Sequence, residues 1–105
     1  GQIRVLFAGD AGERVERSLE DTDIRADILK AGRHGSSGSS SRGFLQQVRP
    51  EVAVITVPCD NRSGYPHFET LKRLSNEEIR VYRTDVQGTV VVTIDEGQYN
   101  IKTEK

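Results

Sequence analysis

Residues 51–57 read EVAVITV, which puts Val52, Val54 and Thr56 on one side of a strand and Ala53, Ile55 and Val57 on the other. Successive side chains of a strand point to opposite faces, so a run that is apolar on both sides belongs to a strand buried from both sides. Such a strand sits inside a sheet with a layer above it and a layer below it. Whatever else the chain does, it must supply or borrow both layers.

The flanking segments supply helices. Residues 3–8 alternate Ile3, Val5 and Phe7 as a strand, and Gly9-Asp10-Ala11-Gly12 breaks it. Residues 12–21 then place Val15 and Leu19 four apart, the spacing of an amphipathic helix. Residues 26–30 form a second short strand, followed by a Gly- and Ser-rich loop at 32–41 that reads as flexible. Ser41 is placed to cap a helix carrying Phe44, Leu45 and Val48, which Pro50 ends. After a long loop at 58–66, Phe68, Leu71 and Leu74 predict a third helix over 67–74. Strands follow at 79–83, 88–94 and 98–103, the last two joined across Asp95-Glu96-Gly97 as a hairpin. The expectation is one domain over 1–105 of class α/β, a mixed sheet with helices and an antiparallel C-terminal hairpin.

A net charge of −1 argues against nucleic-acid binding by bulk charge, but the charge is uneven. Residues 28–83 hold nine bases against five acids, with Arg33, Arg42 and Arg62 in or beside the loops, a pattern that suits either a local phosphate-attracting field or a solvated mixed-charge surface. Cys59 is the only cysteine, which excludes an internal disulfide and reads most simply as a small buried thiol. No run approaches the roughly 20 apolar residues of a membrane span.

Ligands of open α/β sheets gather outside the carboxyl ends of the strands. Three loops, 9–12, 32–41 and 58–67, fall there, and they hold Asp10, His34, Asp60, Asn61 and His67. Both histidines of the chain are in this set. Neutral imidazole with carboxylate suits borderline divalent metals, and an aspartate can bridge two of them.

The order of these pieces is more specific than any one of them. Strand–Gly-Asp–helix is followed by ADILK and, two residues on, by RHGS with its serine loop. Then come RPEVAVITV, NRxGxPH, a helix, and RVYRTDxxGTVVVT. This succession resembles the C-terminal part of the metallo-β-lactamase-type domain of ComEC-family bacterial DNA-uptake proteins. The likeness runs from about Val5 to Thr93.

The resemblance implies the C-terminal half of an αββα sandwich and a metal-dependent phosphodiesterase or nuclease as the parent domain. Two divalent ions, Zn²⁺ or Mn²⁺, would be held in the complete domain, with Asp10 between them and His34 on one. His67 matches a histidine that lines the site in relatives. Arg33, Ser36, Arg42 and Asn61 are the candidates for phosphate. The His-x-His-x-Asp-His motif of the family does not occur in these 105 residues. Arg33-His34 stands where relatives have paired histidines, and Gly64-Tyr65-Pro66-His67 where they read Gly-His-Pro-His. The expected partners are DNA and the remainder of the domain, and the expected setting is a soluble, extracytoplasmic part of an inner-membrane protein. The segment alone is expected to be inactive and to bind no ion tightly. Two rival readings remain, a degenerate DNA-binding or structural module and a stand-alone phosphate-binding module. The serine loop lacks the lysine of a Walker-type loop.

Overall fold

A computed structural model describes residues 2–9, 12–19, 23–57 and 64–105, the side chains of Glu13 and Arg33 excepted. Four short strands, β1 (Val5–Phe7), β2 (Ile28–Lys30), β3 (Val52–Ile55) and β4 (Arg80–Arg83), form a wholly parallel sheet in chain order. Val5, Ile28, Val52 and Arg80 lie side by side in one row, and Leu6, Leu29, Ala53 and Val81 in the next. Helices α1 (Glu13–Leu19), α2 (Arg42–Val48) and α3 (Phe68–Asn76) make the crossovers. A sheet whose spatial order follows its chain order, with right-handed crossovers, puts every helix on the same face.

That face is the core. Leu29, Ala53 and Ile55 of the sheet pack with Phe44, Leu45 and Val48 of α2 and Leu74 of α3, all at most 1% exposed. Each fully buried aliphatic or aromatic side chain of this kind contributes about 1.5–3 kcal/mol. Ser41 caps α2 as its sequence suggests, accepting the Phe44 N–H, and Arg49 ends the helix in the left-handed region at φ 50°. Proline alone does not stop it.

Among the described residues, none of these three helices lies on the opposite face. Strands β5 (Val90–Asp95) and β6 (Gln98–Thr103) form a separate antiparallel hairpin with Val90, Val92 and Ile94 turned toward that face. The expected mixed sheet is therefore two sheets, because the hairpin pairs only with itself. A one-turn helix, α4 (Thr84–Gln87), which sequence periodicity cannot show in four residues, leads into it. Tyr99 Oη donates to Glu51 Oε1 at 3.1 Å, and the Val57 N–H donates to Thr84 Oγ1 at 2.8 Å. Between sheet and hairpin remains an apolar cleft of about 370 Å³, lined by Val5, Phe7, Ile28, Val54, Val92 and Ile94 among others. Ile28 is buried while Phe7 is 75% exposed, so the hairpin covers this face unevenly. No helix among the described residues is long and apolar enough to cross a membrane.

Candidate functional site

After β2 the chain takes one 3₁₀ turn over Gly32–Gly35, at the carboxyl edge of the sheet. His34 sits there at φ 54°, in the left-handed region that few non-glycine residues adopt. Gly35 follows at φ 80°, and a Cβ on it would stand 2.5 Å from Pro66 Cβ. Glycine is required here because segment 64–67 lies directly on the turn. The contact is sealed by the His67 N–H, which donates to the Gly35 carbonyl at 2.9 Å.

Three rings result from this approach. Tyr65 lies between the histidines, its centroid 5.6 Å from His34 and 5.2 Å from His67, stacked on the latter at 29°. Each imidazole also touches a backbone group through Nδ1, and those groups have fixed roles. His34 Nδ1 is 2.8 Å from the Thr56 carbonyl oxygen, which only accepts, so His34 carries its proton on Nδ1 and keeps the Nε2 lone pair. His67 Nδ1 accepts the Ser37 N–H at 2.9 Å, so a neutral His67 carries its proton on Nε2. One imidazole is thereby set as an acceptor or ligand and the other as a donor.

The serine loop is held from two sides, contrary to the flexible loop expected. Glu16 of α1 is fully buried, and its two carboxylate oxygens accept the backbone N–H groups of Ser40 and Ser41. Arg73 of α3 donates to the carbonyls of Ser40 at 3.1 Å and of Ser37 and Ser39 at 2.9 Å. Thr70 Oγ1 donates to the Ser36 carbonyl at 2.8 Å, and Ser39 Oγ to that of Gly32 at 2.8 Å. The Ser36 hydroxyl, a phosphate candidate, is buried and accepts the Gly38 N–H at 3.2 Å. Ser39 and Ser40 are wholly buried, and Ser40 Oγ has no partner among the described residues.

The structure thus brings His34 and His67 together and separates Arg42 from them. Arg42 lines a different cleft with Arg73, Asn76 and Glu77, at the C-terminal end of α3. His67 caps the other end of that nine-residue helix, roughly 12 Å away by helix rise. Arg33 lies in the turn, its side chain outside the described set. Asp10, Cys59, Asp60, Asn61 and Arg62 lie outside the described residues. Among the described residues, no three His, Cys, Asp or Glu side chains converge where a metal could be held. Sequence reasoning missed Tyr65, the Thr56 carbonyl, Glu16 and Arg73. Two of them left a signal: Tyr65 stands at a motif position that is histidine in relatives, and Glu16 shares Leu19's helix face by a three-residue step.

The two imidazoles thus stand at the carboxyl edge of a parallel α/β sheet, the place where such sheets gather polar ligands. The chain is 38% identical over 92 residues to ComE operon protein 3 of Bacillus subtilis (strain 168), covering 86% of this chain. It is 35% identical over 102 residues to Recombination protein 2 of Haemophilus influenzae, covering 97%, and 31% over 100 residues to Competence protein ComA of Neisseria gonorrhoeae, covering 92%. These matches support a competence family for the chain, the one its motifs resemble. The chain spans only 12%, 13% and 14% of those relatives' own lengths. No protein-family model matches it.

Proposed function

We propose that this chain is the C-terminal portion of a metallo-β-lactamase-type domain in a bacterial DNA-uptake protein, and that the complete domain cleaves phosphodiesters with the help of divalent ions. The observation that carries the reading is His34. It stands at the sheet's carboxyl edge where the motif has its late histidine ligand, and its Nδ1–H is fixed on the Thr56 carbonyl. A metal-binding imidazole characteristically donates its other ring nitrogen to a carbonyl or carboxylate in this way, so the residue fits a metal ligand. Its left-handed backbone adds weight, because strained conformations cluster at functional sites.

In the complete domain Asp10 would bridge two ions, Zn²⁺ or Mn²⁺, and His34 would bind one. Bound ions of this kind supply a water activated for attack on phosphorus. His67, Arg33 and Asn61 would line the phosphate side of that site, Arg33 with positive charge and Asn61 with an amide donor. The layering supports the remainder of the domain as partner, since among the described residues one face of the sheet carries α1, α2 and α3 and the other is met by the hairpin. DNA is the proposed substrate, and the extracytoplasmic side of the inner membrane the proposed setting.

The test belongs in the longer protein. Asp10→Ala and His34→Ala should each abolish metal-dependent cleavage of DNA while circular dichroism is unchanged, and His67→Ala should be milder. Cleavage untouched by both ligand changes overturns the reading, and DNA binding without any cleavage in the parent favours a non-catalytic binding module. The 105-residue chain itself, with two candidate ligands where a tight site needs three or four, should bind Zn²⁺ in the roughly high-micromolar range or weaker.

A further inference from the structure

The cleft between sheet and hairpin is apolar along most of its lining and polar at one end. Its polar lining residues are Lys30, Thr56 and Thr84. Lys30 is the last residue of β2, Thr56 the first after β3 and Thr84 the first after β4. All three therefore stand at the carboxyl edge of the parallel sheet, one at the end of each strand. Both hydroxyls are engaged. Thr84 Oγ1 accepts the Val57 N–H at 2.8 Å, and Thr56 Oγ1 lies 3.5 Å from His34 Nδ1, which donates to the carbonyl of the same threonine. The ammonium of Lys30 has no such partner. The residue is half-buried, its side chain makes no hydrogen bond or ion pair with the described residues, and no carboxylate among them lines the cleft.

We infer that Lys30 is the cation that seats a phosphate group of a nucleic-acid backbone beside His34, at the polar end of the cleft. An ammonium on an apolar wall is unfavourable unless water or an anion meets it. A lysine resolves this by laying its stem along the wall and carrying its charge to the open edge. Val54 is the register partner of Lys30, and Thr56 lies two residues further on, roughly 7 Å along the strand. A four-carbon stem covers that distance, so the charge comes within range of the His34 ring. The other phosphate candidates leave this place to it, since the Ser36 hydroxyl is buried and Arg42 lines a different cleft. Lysine meets phosphate as a point charge, without the two-toothed geometry of a guanidinium. Such a contact positions a backbone without reading its sequence. That the phosphate belongs to DNA rests on the phosphodiester reading; the anion site does not.

Correlation spectra of the lysine Cε and Nζ nuclei follow the ammonium directly in the 105-residue chain. Titration with inorganic phosphate at constant ionic strength should shift the Lys30 resonance together with the ring resonances of His34. A hexathymidylate should do the same at lower concentration. Lys30→Met keeps the apolar stem and removes the charge, so it should weaken phosphate binding about tenfold with circular dichroism unchanged. Lys30→Arg should retain binding. Lys72→Met removes the same charge from an exposed position on α3 and should leave binding as it was. A Lys30 resonance that ignores phosphate overturns the inference. Equal weakening in Lys72→Met does so too, as does a hexathymidylate that binds Lys30→Met as tightly as the unaltered chain. If Lys30→Met loses its fold, the ammonium shift of the unaltered chain decides alone. A longer protein that never cleaves DNA, with the Lys30 shifts intact, withdraws the phosphodiesterase reading and leaves the anion site standing, so the two fail separately.

Discussion

Val15 and Glu16 occupy each other's expected places. Periodicity put Val15 inward with Leu19, but Val15 is 50% exposed and Glu16 is fully buried. Spacing could not decide, because Glu16 and Leu19 also share a face; the serine loop's two inward N–H groups do, and they need an anion that no apolar residue provides. Glu16→Ala should therefore destabilise the chain by about 3 kcal/mol in a urea titration, since it leaves two buried donors without a partner. Val15→Ala, at an exposed position, should fall within about 0.5 kcal/mol of the parent. Gly35 is the complementary case. With φ at 80° and Pro66 Cβ where its own Cβ would go, Gly35→Ala should cost about 2 kcal/mol or more and separate His67 from the turn, measured by the same titration and by loss of His67 amide protection. The sequence marked both histidines correctly as edge residues, but not the groups their Nδ1 atoms meet. Those are the Thr56 carbonyl and the Ser37 N–H, backbone groups with no residue signature.

Elements were legible where side chains alone define them. The cap, apolar face and end of α2 follow from Ser41, Phe44, Leu45, Val48 and the turn before Pro50, and β3 from its two apolar faces. The hairpin was legible as a hairpin, whereas its separation from the sheet depends on pairing partners that no local pattern encodes. Its docking depends on a few polar contacts and is correspondingly sensitive to pH. Burial pushes the Tyr99 phenol above its usual range, and its hydrogen bond to Glu51 pushes it the same way. A raised folded-state value means that this contribution is complete below the ordinary phenol range, about pH 10, and is lost as pH rises through the raised value. At the other end of the linker, the Arg83 guanidinium holds Asp85 below the usual carboxylate range. That contribution is present above the ordinary carboxylate value and is lost as pH falls through the depressed one. Tyr99→Phe should loosen the hairpin by about 0.5–1 kcal/mol at neutral pH and remove the alkaline transition of β6 amide exchange. An alkaline transition that persists in Tyr99→Phe would assign the effect to another group.

At the scale of the whole molecule, the sheet order decides what is left bare. Three crossovers in one direction bury one face of the sheet under α1, α2 and α3, and among the described residues the hairpin alone is left for the other. Both faces of β3 are apolar, so the sequence asks for a second layer as complete as the first. The hairpin is not that layer. It buries Ile28 and Val52, yet leaves Phe7 75% and Ile94 47% exposed around the 370 Å³ cleft. Large apolar side chains left exposed around an open apolar cleft mark a surface that a partner or a hydrophobic ligand can cover. The isolated chain should therefore bind an anilinonaphthalene dye or self-associate in sedimentation, and Phe7→Ser with Ile94→Ser should suppress both without loss of helix signal. The dye and the sedimenting partner compete for the same face, so one signal should fall as concentration raises the other. A chain that is strictly monomeric and dye-silent at every concentration would mean that the hairpin closes the face in solution. The sheet would then need no further layer, and the proposal that this chain is one part of a two-layered domain would have to be withdrawn.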